Sequence, residues 1–584
     1  MMTFLMRMRW APFLFAIILG AALDNSGGAS AQTASQITPP SYRPPLETMV
    51  GGGLILPQTE GLATPAGAET LFVHLSGVEV EGGFATLDSA THELEARLTA
   101  PRVSGAAIFS AARELEAAYA RAGYVLVRVV LPPQKLVDGS RLRLIVINGY
   151  IEKIETKDVP EAVRARIAAV IAPLEGRRSL TLAEIERRLL LAGDTPGVIL
   201  HSALAPGEQP GAAILIVEAS YQPMSGLVTL DNTLAQSLGR WNPGLGADLN
   251  SVTSLGDLIY LRANGDPNMG PNGFLDPYPR NRALAAGIVL PIGTDGLTFN
   301  VEGTNARTEQ VPASGFETTD VFERLALRLR YPWVRARSFD FNTEFAFDAQ
   351  DEKQSVFLTD NGVPLSLDRL RILRLSGDGD WRMAWGGVLS GRVTASFGVD
   401  GLGARGVASI TPLLPLSRQY ADASFQKVEA SFAYSQPMID HLAINLNAHG
   451  QFAFDQAMAH SEQIGIATPT GLSTFDNGSL QGDSGLVLRG ELASPWNVPV
   501  FSDALAAVAA PYGFAAAGEL YLQHPTALEP SRLRAASYGL GVRFAGSTQA
   551  SLSNASLTLE WGRQARSDGV PAGDRFTFVG VFRY

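Results

Sequence analysis

The sequence predicts a transmembrane antiparallel β-barrel of about sixteen strands, preceded by small α+β units. Three observations carry this prediction. An apolar leader opens the chain, two short α/β patterns lie between Thr70 and Ser220, and apolar and polar residues then alternate to an aromatic C-terminus. With 584 residues the chain exceeds one compact core, so several domains are expected. The absence of cysteine rules out disulfides and thiolate metal sites. A net charge of -11 argues against nucleic acid as a partner, because phosphate binding needs a basic surface.

Arg7 and Arg9 precede an apolar run from Trp10 to Leu23, and Ala29-Ser30-Ala31 suits cleavage before Gln32. Residues 1–31 therefore read as a secretory signal peptide. A membrane anchor is the alternative, but a spanning helix needs roughly 20 apolar residues, more than this run offers. No later uninterrupted apolar stretch reaches that length. Residues 32–69 are rich in Pro, Gly, Thr and Ser and read as a linker, with no convincing helical pattern to decide whether it holds a helix.

Residues 70–149 form a first α/β unit. Ser110 is placed to cap a helix whose Ala112, Leu115, Tyr119 and Ala122 share one face, with Gly123 as its stop. A strand is expected over Val125 to Leu131, then Pro132-Pro133, an Asp138-Gly139 turn and a strand around Leu142, Leu144 and Val146. Residues 150–220 form a second unit. Thr181-Leu-Ala-Glu184 is a capping box opening a helix from Leu182 to Ala192, and Asp194-Thr-Pro-Gly197 turns into a hairpin of Val198–His201 with Ala212–Glu218.

From residue 221 to 584 the period changes to two. Leu297, Phe299 and Val301 alternate with Thr298, Asn300 and Glu302. Leu325, Leu327 and Leu329 alternate with Ala326, Arg328 and Arg330, and after a turn at Pro332 come Phe339, Phe341, Phe345 and Phe347. Such segments put one face in lipid and one in water, and only a closed barrel satisfies every backbone group in hydrocarbon. The aromatic last strand, with Phe578, Phe582 and Tyr584, fits barrel closure; a secreted β-sandwich is the alternative.

Sequence signatures of chemistry do not hold up. Gly401-Leu-Gly-Ala-Arg-Gly406 matches the dinucleotide fingerprint in letters, but no crossover helix follows, and it reads as a glycine-rich barrel strand. Gly377-Asp-Gly-Asp380 lacks further calcium ligands at the right spacing and reads as a hairpin turn. The histidines are scattered and there is no Gly-x-Ser-x-Gly elbow, so no catalytic residue, cofactor or metal site is expected.

Several pieces resemble one family in order and spacing. They are Gly123-Tyr124-Val125, Leu131-Pro132-Pro133-Gln134, Asn148-Gly149-Tyr150-Ile151, Asp194-Thr-Pro-Gly197, Asp231-Asn232, Gly482-Asp483-Ser484-Gly485 and Leu488-Arg489-Gly490-Glu491-Leu492. From about Phe72 to Tyr584 the chain resembles a two-partner secretion transporter of the haemolysin secretion/activation type. The resemblance implies two periplasmic polypeptide-transport-associated (POTRA) domains, 70–149 and 150–220, before an outer-membrane barrel. It further implies export of an unfolded secreted exoprotein, with Tyr124, Pro132, Pro133, Gln134, Asp194 and Gly197 as client-binding candidates, insertion by the barrel assembly machinery, and a monomer in outer-membrane lipid. An assembly factor for other barrels, or a diffusion pore, is the alternative.

The resemblance also exposes departures. The family usually carries Val-Arg-Gly-Tyr/Phe at the tip of an inward-folded loop, where this chain reads Leu472-Ser473-Thr474-Phe475. The arginine's usual partner is an aspartate in a Phe-x-Asp-x-Gly strand, and here Phe514-Ala-Ala-Ala-Gly518 puts Ala516 there. Both halves of the ion pair are therefore expected to be missing, leaving the loop without its usual anchor. Restoring Arg at 473 or Asp at 516 alone is expected to harm the protein, and restoring both to be milder than the sum.

Overall fold

The computed structural model describes residues 32–38, 62–310, 317–357, 362–411, 413–498, 505–527, 529–548 and 553–584. The expected signal peptide and most of the expected linker lie outside them.

The first α/β unit packs the helices Asp88–Leu98 and Gly105–Arg121 on a three-stranded sheet of Gly77–Glu81, Arg141–Ile147 and Arg128–Val130. Its core joins Ile108, Leu115 and Tyr119 to Leu142, Leu144 and Val146. The second helix starts a turn and a half earlier than Ser110 implied, because Ser104 accepts the backbone N–H of Ala107 and caps it. Arg128–Val130 is also shorter than expected, since Val125 to Val127 form the turn leaving the helix.

The second unit repeats this plan with helices Glu161–Ile171 and Leu182–Gly193 on a sheet ordered Tyr150–Glu155, Ala212–Tyr221, Val198–Pro206. Thr181 and Glu184 form the expected capping box. The Thr181 backbone N–H, with Arg177 in support, holds the Glu184 carboxyl below its usual range.

Among the described residues, sixteen long antiparallel strands close a barrel. They are β1 Met224–Asp231, β2 Asn242–Asn250, β3 Leu258–Gly265, β4 Asn281–Ile292, β5 Leu297–Gln310, β6 Glu317–Arg335, β7 Phe339–Phe357 and β8 Gly362–Arg382. There follow β9 Val388–Gly398, β10 Gln426–Ile439, β11 Leu442–Phe452, β12 Ser484–Ala493, β13 Leu505–Tyr521, β14 Arg532–Thr548, β15 Asn554–Arg566 and β16 Asp574–Arg583. The predicted alternation holds. Along β7, Asp340, Asn342, Glu344 and Asp348 are buried in the lumen while Phe339, Phe341 and Phe345 face outward.

Three local expectations are corrected. Pro332 is no turn: β6 absorbs it in a bulge and runs on to Arg335. Gly377–Asp380 is no turn either but lies within β8, where Asp378 bonds Arg330 and Arg392 across the lumen wall. Gly401–Gly406 lies in the loop after β9 rather than in a strand.

The barrel closes where β16 meets β1, with Val579 to Arg583 paired against Asp231 to Leu227. Gly226 and Tyr584 extend the seam by exchanging backbone hydrogen bonds, and a Cβ at Gly226 would fall 2.1 Å from the Tyr584 ring. Past the last ladder pair the Asn232 backbone N–H still donates to the Phe578 carbonyl at 3.2 Å, and the Asn232 side chain reinforces the contact. It accepts from the Phe578 N–H at 2.8 Å and donates to the Phe576 carbonyl at 3.0 Å.

The second unit docks on the near-end turns of the barrel. Arg335 ends β6 and bonds Asp194 at 2.6 Å and Asp340 at 2.9 Å, with its side chain 2% exposed. Arg187 adds hydrogen bonds to the carbonyls of Pro332 and Trp333. Arg335→Ala is expected to destabilise this joint by about 3–5 kcal/mol, because it strands two carboxylates. The measurement is thermal unfolding of the full chain, with Asp194→Ala/Arg335→Ala losing less than the sum of the singles; strict additivity would disprove the coupling.

Candidate lumen site

The barrel lumen is filled from two directions, by the loop joining β11 to β12 and by the chain's N-terminal tip. The loop, residues 453–483, folds inward: Met458, Glu462, Ile466, Leu472, Ser473, Thr474 and Asp483 are all buried.

Its base is ionic. Glu462 meets Arg374 of β8 at 2.7 Å and Lys427 of β10 at 2.9 Å, and it accepts from Gln350 of β7 at 3.0 Å. Burial by itself would raise the Glu462 carboxyl, but the two cations outweigh it and hold it at about 2. The folded value lies below the ordinary one, so this pairing contributes in full above the ordinary carboxylate range and is lost only as pH falls toward about 2. Asp483 completes the base, accepting from the backbone of Met458 at 2.9 Å and Gln523 at 2.7 Å and pairing with Arg418.

The tip is held differently. Leu472 and Phe475 pack with Ile464, Ile466 and Ala516 in one buried apolar cluster. Gly518 leaves the space this needs, since a Cβ there would come within 2.9 Å of Ile466. Thr474 bonds Ser537 of β14 at 2.8 Å, and the Ser473 carbonyl accepts from Thr577 of β16 at 3.0 Å.

The Ser473 hydroxyl sits in a charged network of the wall. It bonds Glu560 of β15 and accepts from Arg489 of β12 at 2.7 Å. Arg489 pairs with Glu560 and, at 2.9 Å, with Glu491, and its guanidinium lies 4.1 Å from the centre of the Phe514 ring. Tyr512 donates to Glu560 at 2.9 Å.

The sequence candidates thus meet here: Leu472, Ser473, Thr474, Phe475, Phe514, Ala516 and Gly518 surround one junction of loop and wall. The usual arginine and aspartate are absent at Ser473 and Ala516, and the loop is anchored by other groups. Arg489 stands directly opposite Ala516 in the β12–β13 register, so the cation reaches the loop from the wall. The ion pair has moved wholly into the barrel, and the loop contributes neutral hydroxyls. A period-two signal marked it: Arg489 and Glu491 share one face of β12, while Leu486, Leu488 and Leu492 face outward.

The N-terminal tip is the second surprise. Thr33 opens a one-turn helix, Ala34–Ile37, in a stretch read as plain linker. Ala34 is fully buried against Ala283, Ala306 and Phe322 of β4 to β6. The Gln32 side chain donates to the Asn477 carbonyl of the loop and accepts from the backbone of Ala235 at 2.9 Å, beyond β1. Four residues form too short a helix to show a period, and their stability comes from these lumenal contacts.

The POTRA-type candidates do not form one surface. Tyr124 is edge-on to Phe84 in the first core, 4.9 Å between centroids. Pro132, Pro133 and Gln134 lie at the surface, where the Gln134 amide closes the backbone of Arg143 from both sides. Asp194 and Gly197 belong instead to the joint with the barrel: Asp194 is held by Arg335, and Gly197, at φ 75°, abuts Gln222 and Asn250. At the C-terminus, Phe582 and Tyr584 stack on the outer face and Phe578 meets Trp241 edge-on.

Comparisons with known proteins agree with this architecture. Residues 211–544 match the family model of the haemolysin secretion/activation proteins ShlB/FhaC/HecB, and residues 73–149 match a ShlB-type POTRA domain. The chain is 21% identical over 412 residues to the heme/hemopexin transporter protein HuxB of Haemophilus influenzae, covering 68% of this chain. It is 23% identical over 396 residues to the hemolysin transporter protein HpmB of Proteus mirabilis, covering 67% of this chain. In both cases the match spans 66% of the relative's own length. Its fold is similar to CdiB from Escherichia coli, with a TM-score of 0.67 at 18% identity over 91% of this chain and 93% of that one. CdiB from Acinetobacter baumannii gives a TM-score of 0.58 at 16% identity, covering 95% of each chain.

Arg489→Met is expected to lower barrel stability by about 3–5 kcal/mol, because buried Glu560 loses its paired cation and Glu491 keeps only Arg543. Ser473→Arg is expected to destabilise too, by setting a second guanidinium against Arg489. Thermal unfolding of the purified chain checks both, and a stability unchanged by Arg489→Met would refute the wall-borne anchor.

Proposed function

Since the chain belongs to the haemolysin secretion/activation protein family ShlB/FhaC/HecB, we propose that it exports one secreted partner protein across the outer membrane. In this reading the units at 70–149 and 150–220 act as POTRA domains that hold the unfolded client in the periplasm, and the barrel of 221–584 is the path. The carrying observation is a polar lumen occupied by an ion-paired loop and by residues 32–38, which rest on replaceable contacts. The tip attaches to the wall through hydrogen bonds and small apolar side chains, so an extended client can replace it one bond at a time. The Arg128–Val130 edge strand, followed by Pro132-Pro133, is the client-facing candidate, with the Val129 N–H now held by Glu116 at 2.9 Å as the bond a client strand would replace. Insertion by the barrel assembly machinery and a monomeric state complete the reading.

The test is co-expression of this chain with a large secreted protein encoded in a neighbouring reading frame, where one is found, and assay of that protein's export. Export that requires this chain is the expected result, and unchanged export in its absence would overturn the reading. A fragment of residues 62–220 is expected to bind the client's N-terminal part in the micromolar range, because ordering a disordered segment opposes binding. Titration of that fragment, with its folding checked by circular dichroism, measures this; a folded fragment that does not bind removes the client-holding role.

A further inference from the structure

Most charges in the lumen are matched. Glu302 pairs with Arg324 at 3.1 Å, Asp348 with Arg374 at 2.7 Å, and Glu344 with Arg392 at 2.8 Å. One group is not. Asp320 of β6, Glu352 of β7 and Asp368 of β8 are each no more than 5% exposed on the lumenal face, and among the described residues none of them forms an ion pair. Glu352 and Asp368 stand directly opposite one another in the β7–β8 register, and Asp320 is diagonal to Glu352. Like charges so placed repel.

Each of the three carboxylates keeps one buried oxygen with no hydrogen-bond partner: Asp320 Oδ1, Glu352 Oε2 and Asp368 Oδ2. A fourth unpartnered acceptor lies one lumenal position along β7 from Glu352. Gln350 is the preceding lumenal residue of β7, its amide nitrogen is committed to Glu462, and its Oε1 is buried and unpartnered. The donation to Glu462 fixes which end of that amide is the acceptor. Arg405 lies near Asp368, but its guanidinium is spent on the carbonyls of Leu367, Ser409 and Leu414.

What rests on the group is the N-terminal tip, and it brings no charge. Ser35 donates its backbone N–H to Glu352 at 3.1 Å, and the segment Ala34-Ser35-Gln36-Ile37-Thr38 has no ionisable side chain. Backbone N–H groups offer only partial positive charge. A group of carboxylates with spare acceptors, covered by a neutral segment, is matched to a stronger donor than the one it holds.

We propose that the Asp320–Glu352–Asp368 group is a binding site for one basic side chain, an arginine or lysine, on an extended polypeptide passing through the lumen, and that its occupation displaces the N-terminal tip. This rests on the export reading for the source of the peptide, but the site can be tested without export. A guanidinium brings five N–H donors and a full charge, enough to serve several of the vacant acceptors.

The experiment uses the full chain, purified in detergent, with Ala34→Cys and Ala283→Cys. The natural sequence has no cysteine, so a short bis-maleimide reports only the seating of the tip. The probes are a Gly/Ser peptide carrying two arginines, the same peptide carrying two glutamates, and magnesium chloride or potassium chloride at matched charge. The arginine peptide is expected to lower the cross-linked fraction at least threefold, the glutamate peptide and the salts to leave it unchanged, and Glu352→Gln/Asp368→Asn to abolish the response. Heat-modifiable migration verifies that each variant keeps a folded barrel, and Asp320→Asn replaces the double variant if that one fails to fold. Equal displacement by the glutamate peptide, displacement by the salts alone, or an undiminished response in a folded variant would overturn the proposal. Loss of partner export with an intact displacement response, or the reverse, separates the failure of one reading from that of the other.

Discussion

A lumen lined with ionised side chains holds its shape only where each buried charge finds a partner, because an uncompensated one costs several kcal/mol. That constraint organises this barrel. Arg330 of β6 and Arg392 of β9 converge on Asp378 of β8, Arg374 joins Asp348 to the loop's Glu462, and Arg489 ties Glu560 to Glu491. The inward loop is held because it completes these networks. Arg335 extends the same logic beyond the barrel, coupling the joint with the second α/β unit to the end of β6.

The two ends of the loop obey the constraint differently. At Glu462 the loop supplies one member of the ion pairs, so lifting it would leave Arg374 and Lys427 facing each other. At Ser473 it supplies a hydroxyl to a pair already complete in the wall, so lifting it exposes a satisfied ion pair. The base is therefore the stronger attachment and the tip the weaker one, although the tip holds the residues that depart from the family motif.

The fold was legible because it rests on period and punctuation. The alternation at 297–302, 325–331 and 339–348 needed only a count of residues, and Thr181 with Glu184 announced their helix by chemistry at fixed spacing. What stayed hidden depended on contacts distant in sequence. Arg489 was visible as a letter but not as the partner of Glu560, 71 residues away. Asp194 resembled a motif residue, and its partner Arg335 lies 141 residues further on. The four-residue turn at Ala34 carries no local signal, since its helical form is imposed by the wall around it. Pro332 misled for a related reason: at the end of a long strand a bulge accommodates what a turn would otherwise explain.

The position of that turn bears on how the molecule comes to be assembled. The tip's partners are drawn mostly from early in the barrel: Ala235 beyond β1, Ala283 and Gln310 in β4 and β5, Phe322 in β6 and Glu352 in β7. The seam between β1 and β16, by contrast, joins the two most distant strands in sequence and carries a short ladder. A curved half-sheet of the first strands already presents nearly the whole cradle for the tip. Residues 32–38 can thus settle on an open surface and be wrapped as the later strands arrive, so that the barrel closes around a segment it never has to thread.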